Sequence, residues 1–128
     1  ANAPMNDLMQ QRRGLPYDAG GKLAAKGEVR AAVIGELAKH PYFAQPAPKS
    51  LDRDAFADLL TAVAQMDDAD ALATLAEAVV HSVSAGVALC PRPPAQVLVT
   101  GGGRHNKVVM QGLATALGCP LKCVNYRP

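Results

Sequence analysis

Tryptophan is absent from this 128-residue chain, and aromatic side chains make up only 4% of it. A core, if there is one, must be built from aliphatic residues. No apolar run reaches the roughly 18 residues a membrane-spanning helix needs, which excludes a membrane span. Neither sign of charge dominates: 13 Lys and Arg stand against 11 Asp and Glu, for a net charge of +2. The charges are interspersed, and no basic stripe alternates with aromatics. That argues against a nucleic-acid footprint. Cysteine is scarce and odd in number, with Cys90, Cys119 and Cys123. The Cys119–Cys123 spacing is not that of a zinc ribbon, and there is no second pair. Free, buried thiols of a cytosolic protein are expected. His40, His81 and His105 are scattered. Glu77 and His81 form a helical i,i+4 pair, expected to be solvated, and no metal site is expected. No signal peptide is visible. The chain opens on Ala1 rather than Met, so a native start upstream is expected.

What is present suits one helix-rich domain. Hydrophobic residues make up 49%, alanine is abundant, and the length is sufficient to bury a core. Residues 1–27 are polar and punctuated by Gly14, Gly20, Gly21 and Gly27, with a short helix expected over Met5–Arg13. Val29, Ala32, Val33 and Leu37 share a face, which predicts a helix over Glu28–Lys39. His40-Pro41 stops it, because the residue before proline disfavours the helical region. A Pro-rich loop follows over Ala44–Ser50. Ser50 or Asp52 caps the next helix, which carries Phe56, Leu59, Leu60 and Val63. Asp67 or Asp68 caps a long helix to about Leu89, with a stripe of Leu72, Leu75, Val79, Val83 and Val87.

The segment 96–126 changes character. Gln96–Thr100 is a β-branched run and predicts a strand. Gly101-Gly102-Gly103 follows, then a polar turn, then an amphipathic helix over His105–Leu117, then a second strand over Leu121–Tyr126. Glycines at a strand-to-helix turn let backbone approach a ligand, because no Cβ intervenes. A helix start behind them offers unpaired N–H groups and a positive dipole end. The loop is therefore the best candidate for a nucleotide or phosphate site. Its spacing, Gly101-x-Gly103-x-x-Asn106, lacks the third glycine of a dinucleotide fingerprint and is not a P-loop. A structural turn without a ligand fits the same spacing.

Strand, helix and strand make a βαβ unit with parallel strands. Parallel sheets are normally covered on both faces and are seldom two strands wide. No other convincing strand precedes residue 96. The chain is therefore expected to be a single partial domain: residues 1–95 mainly helical, residues 96–126 a βαβ unit, and the remaining strands elsewhere in a longer polypeptide.

Four blocks resemble one family. They are Ala1-Asn2-Ala3-Pro4-Met5-Asn6-Asp7; Tyr17-Asp18-Ala19-Gly20-Gly21-Lys22-Leu23-Ala24-Ala25-Lys26-Gly27; Pro41-Tyr42-Phe43 with Pro46-Ala47-Pro48-Lys49-Ser50-Leu51-Asp52-Arg53-Asp54-Ala55-Phe56; and Val99-Thr100-Gly101-Gly102-Gly103-Arg104-His105-Asn106. In order and spacing they are similar to the C-terminal part of anhydro-N-acetylmuramic acid kinase, a bacterial sugar kinase. Four blocks in order are hard to obtain by chance.

The resemblance implies an α/β fold of the sugar kinase, actin and heat-shock chaperone superfamily. This chain would form part of the second RNase H-like lobe of that actin-like ATPase fold, helix-rich with a small parallel βαβ unit. It implies a reaction in which 1,6-anhydro-N-acetylmuramic acid is phosphorylated with ATP and magnesium while water opens the anhydro ring. The product would be N-acetylmuramic acid 6-phosphate, an intermediate of peptidoglycan recycling in the bacterial cytoplasm. A homodimer is implied as well.

By the same resemblance, the catalytic aspartate belongs to a motif whose last two positions look like Ala1-Asn2, with Ala where Gly is usual. That aspartate is expected just before residue 1, so this chain alone is expected to be inactive and to carry no catalytic residue. Asp7 and Asp18 are nominal substitutes as base, although Asp18 also suits a brace for the Gly20–Gly27 turn. Thr100, Gly101, Gly102, Gly103 and Asn106 match the second-lobe nucleotide motif. Arg104 and His105 flank it, either touching ribose or phosphate or lying in solvent. Lys49, Ser50 and Arg53 match a further motif. They either face phosphate or the substrate carboxylate, or cap and brace a helix. Ala47 stands where the family usually has Pro, which should only loosen the loop. Two alternatives belong to other classes: a non-enzymatic nucleotide-binding module, and a helical dimerisation module using an exposed apolar stripe on the long helix.

Overall fold

Asp67 opens the helix around which the chain is organised. Its backbone is extended (φ −66°, ψ 167°) and its side chain accepts from the Asp70 N–H at 2.9 Å. That satisfies one of the donors a helix start leaves unpaired. Among the residues that the computed structural model describes, 3–45 and 57–124, this helix is the longest. We number the helices and strands in chain order. α1 is Ala3–Arg13, α2 Ala31–Ala38, α3 Ala57–Ala62, α4 Asp68–Val87 and α5 Lys107–Leu117; β1 is Val97–Val99 and β2 Leu121–Cys123. Single 3-10 turns lie at Ala19–Gly21, Ala24–Lys26, Pro41–Ala44 and Gly102–His105.

α4 is more deeply buried than its leucine and valine stripe predicts. Ala71, Ala73, Thr74, Ala76 and Ala78 are buried along with Leu72, Leu75, Val79 and Val80. A helix that is apolar on most sides belongs in a core. Its alanines let neighbours approach: α1 brings Met5, Leu8 and Met9, α2 brings Val33, and α5 brings Val109 and Leu113 into the same cluster. Gly112 of α5 faces Val80, whose Cγ2 would stand 2.7 Å from a Cβ at that position. Of the stripe that a helical dimerisation module would expose, Leu72, Leu75 and Val79 are thus buried inside the chain, and Val83 and Val87 are half-buried.

α1 is stapled to the start of α4. The Arg12 guanidinium donates to the carbonyls of Val63, Ala64 and Met66 and, at 2.9 Å, to Asp68 Oδ1. Arg13 Nε donates to Asp68 Oδ2 at 2.7 Å. These two arginines, the Arg12 hydrogen bond foremost, hold the Asp68 carboxyl below its ordinary value of 3.8, against the opposing effect of burial.

Three expectations are corrected. The helix expected from Glu28 begins at Ala31. The Glu28 N–H donates to Asp70 Oδ1 at 2.8 Å, and the Arg30 N–H donates to Thr74 Oγ1 at 3.0 Å. These bonds lay the backbone along α4, and Val29 is exposed rather than on the core face. The long helix ends at Val87, with Ala88 as its C-cap, instead of Leu89. The thiols are not buried: Cys90 and Cys123 are exposed and Cys119 half-buried.

β1 and β2 pair in parallel, with Val97 opposite Leu121, Leu98 opposite Lys122 and Val99 opposite Cys123. The Val97 N–H donates to the Pro120 carbonyl at 2.9 Å, and the Val124 N–H to that of Val99 at 2.8 Å. Among the described residues these two strands form the only sheet. The expected extension of β2 to Tyr126 falls partly outside the described residues.

Candidate functional site

Gly101 turns the chain out of β1. Its φ of +84° with ψ of −179° suits only glycine. The next residues wind into the 3-10 turn Gly102–His105. Gly102 and Gly103 lead that turn, where backbone N–H groups have no acceptor inside it. Arg104 folds back on the loop: its Nη1 donates to the Gly101 carbonyl at 2.6 Å. That bond braces the loop.

Asn106 then starts α5. Its side-chain oxygen accepts from the N–H groups of Val108 (3.0 Å) and Val109 (3.2 Å). This corrects one expectation from the sequence. The first turn of α5 is not a set of open donors behind the glycines, because Asn106 satisfies two of them and a 3-10 turn intervenes. What the loop offers a ligand is its own glycine backbone.

The second wall comes from far away in the sequence. Asp18 is buried, and its two carboxylate oxygens accept from the N–H groups of Leu23 and Ala24, each at 3.1 Å. Both oxygens are engaged in holding the turn, which favours the brace over the substitute base. The Asp18 clamp presents Ala19–Gly21 towards the glycine loop. Together with Asn6 of α1 these segments enclose a cleft of about 410 Å³, lined by Asn6, Tyr17, Asp18, Ala19, Gly20, Gly102, His105 and Asn106. Gly102 and Asn106 are on its wall; Thr100, Gly101 and Gly103 belong to the same loop just outside the lining. Thr100 and His105 are exposed. Lys49, Ser50 and Arg53 lie outside the described residues.

Sequence reasoning missed Asn6, Tyr17, Ala19 and Gly20 as cleft residues. The Gly20-Gly21 doublet after Tyr17-Asp18 was the available signal. His81 is half-buried and packs edge-on against Phe43, with ring centroids 5.4 Å apart. Among the described residues no group of three His, Cys, Asp or Glu is placed to hold a metal ion, and no helix is long and apolar enough to cross a membrane.

The cleft unites three of the four sequence blocks, so comparison with known proteins bears directly on it. The sequence profile of the anhydro-N-acetylmuramic acid kinase family matches residues 1–122. The chain belongs to the anhydro-N-acetylmuramic acid kinase family. Relatives of that name include one from Cereibacter sphaeroides, 58% identical over 118 residues, covering 92% of this chain and 32% of the relative. The one from Roseobacter denitrificans is 50% identical over 124 residues, covering 97% of this chain and 33% of the relative. The one from Rhodospirillum rubrum is 44% identical over 128 residues, covering 98% and 34%. The chain therefore spans about a third of the length of these anhydro-N-acetylmuramic acid kinases.

Proposed function

We propose that this chain supplies the nucleotide-facing wall of a longer kinase acting on 1,6-anhydro-N-acetylmuramic acid. In that reaction the γ-phosphoryl group of ATP passes to the sugar's 6-oxygen, the 1,6-anhydro bond opens, and water adds at the anomeric carbon. The products are N-acetylmuramic acid 6-phosphate and ADP. One observation carries the assignment of the wall: the glycine loop and the Tyr17–Gly20 segment converge on one cleft. Gly102 faces it without a side chain, so a ligand can lie against backbone. Asn106 holds the loop's exit, and Thr100, Gly101 and Gly103 shape its approach.

The general base and the metal are assigned to parts of the longer protein. Magnesium would arrive on the phosphates and neutralise charge as it develops there. The Asp18 carboxylate is already engaged by backbone donors, so we route no step through it. Lys49, Ser50 and Arg53 remain our candidates for the substrate's anionic groups. The open two-stranded sheet supports reading residues 1–128 as one partial domain, part of a second RNase H-like lobe. The family resemblance supports a cytoplasmic location and a homodimeric full-length enzyme.

Calorimetric titration of the chain, and of the longer polypeptide, with magnesium and a non-hydrolysable ATP analogue tests the site. A Cβ at Gly102 would meet open space, so Gly102→Val should fold normally and project its side chain into the cleft. Binding by the parent and at least about a tenfold loss in Gly102→Val is expected. Silence from the longer parent polypeptide would overturn the nucleotide reading.

A further inference from the structure

Gly20 and Gly21 are adjacent, and both are left-handed, with φ of +64° and +74°. Their surroundings differ. A Cβ on Gly20 would meet nothing within 4 Å, whereas a Cβ on Gly21 would collide with the side-chain amide of Asn106 and stand 3.3 Å from the Val108 nitrogen. Gly21 is buried against the side chain that caps α5 and ends the glycine loop. Asn106 is itself 8% exposed and Asp18 7%. A chain of contacts results. Asp18 clamps the Leu23 and Ala24 N–H groups, its own carbonyl accepts from the Gly21 N–H at 3.1 Å, and Gly21 abuts Asn106. Asn106 in turn fixes the start of α5 and the Gly103 carbonyl, to which its N–H donates at 3.0 Å.

We propose that Gly21 is a positioning residue for the nucleotide loop. It acts by letting the Asp18 turn seat directly on Asn106, and so fixes the distance across the cleft between Gly20 and Gly102. The proposal rests on the nucleotide reading of that cleft. It does not require Gly21 to touch the ligand, since Gly21 is not part of the lining. A side chain there would push the turn and the loop apart, or rotate Asn106 off the α5 N–H groups. Either change would misplace Gly102.

Gly14→Ala and Gly21→Ala in the full-length kinase form a matched pair: Gly14 is also left-handed (φ +65°), a Cβ there would meet nothing within 4 Å, and it is not part of the cleft lining. Each places alanine at a left-handed position, so the backbone strain is similar, but only the second collides with Asn106. Expected is an increase of about tenfold or more in the KM for ATP and in the Kd of a non-hydrolysable analogue for Gly21→Ala relative to Gly14→Ala. The KM for the anhydro sugar should be unchanged. Asn106→Ser keeps a capping oxygen on a shorter side chain, so Gly21→Ala combined with Asn106→Ser should bind the analogue within about threefold of Asn106→Ser alone. That double variant also keeps the test open if Gly21→Ala fails to fold. Equal nucleotide affinities for Gly14→Ala and Gly21→Ala, or no recovery in the double variant, would overturn the proposal and leave the nucleotide site standing. A parent enzyme that binds no analogue would instead remove the nucleotide reading, and this proposal with it.

Discussion

Leu72 and Leu98 are the same residue type in opposite situations. Leu72, in α4, is 0% exposed, and Leu98, in β1, is 59% exposed. The contrast extends to their whole regions. Around α4, helices α1, α2 and α5 close a cluster of buried aliphatic side chains from within the chain. In the β1–β2 pair no strand residue is fully buried, and Leu121 is only partly buried against the helical cluster. A helix satisfies its backbone internally, so it needs only a partner for its apolar face. A parallel strand needs neighbours on its edges and layers on both faces. Among the described residues the helical region buries its apolar faces within the chain, and the two-stranded sheet does not. That agrees with a chain spanning about a third of its relatives.

The most severe way to break the comparison is to hollow out the helical side. Leu72→Ala removes a fully buried side chain at the centre of α4, where surrounding helices have little room to collapse. A loss of about 3 to 5 kcal/mol is expected by urea denaturation. A loss below about 1 kcal/mol would mean that α4 is not the organising element.

A smaller effect probes the polar staple at the same helix. The folded pKa of Asp68 is lowered by Arg12 and Arg13, so the ionised form favours the folded state. Its contribution is therefore complete above the ordinary value of 3.8. It declines as the pH falls through that value and vanishes below the lowered folded pKa. Asp68→Asn should cost about 1 to 2 kcal/mol at neutral pH, because its single amide oxygen can accept from only one of the two arginines and its NH2, a donor, faces the other. The gap between parent and variant should stay level down to about pH 5 and then close towards acid. A gap that is independent of pH would show that the arginines act by packing instead.

Much of this architecture is legible in the order of amino acids. The α4 cap at Asp67 or Asp68, the strand–loop–helix–strand order and the parallel pairing all follow from local pattern: a capping side chain, a β-branched apolar run, period-3.6 apolar spacing, and a glycine break. Partnerships across sequence are not legible. The start of α2 is set by Asp70 and Thr74, which draw the Glu28 and Arg30 N–H groups out of a helix that local periodicity favours. Gly27 resembles any turn glycine, yet a Cβ there would collide with the Ala69 backbone. At the cleft the glycine loop announces itself, while its opposite wall does not. Nothing in Tyr17-Asp18-Ala19-Gly20-Gly21 says that it will meet Asn106. Tertiary contact alone converts a turn into one wall of the cleft.

The smallest expected effect falls on the exposed sheet. Leu98→Ala in this chain should change stability by no more than about 0.5 kcal/mol, because the side chain is mostly in water and leaves no cavity. The same substitution in the longer polypeptide tests why the residue is apolar at all. If further strands and helices cover the open face of β1, Leu98 becomes a core residue there and its truncation costs about 2 kcal/mol or more. Denaturation of both proteins, parent against variant, separates the outcomes. A larger loss in the longer protein would show that the exposure of Leu98 is the exposure of an incomplete sheet. Equal small losses would mean that β1 ends the sheet at that face and that the contrast with Leu72 is intrinsic to the fold.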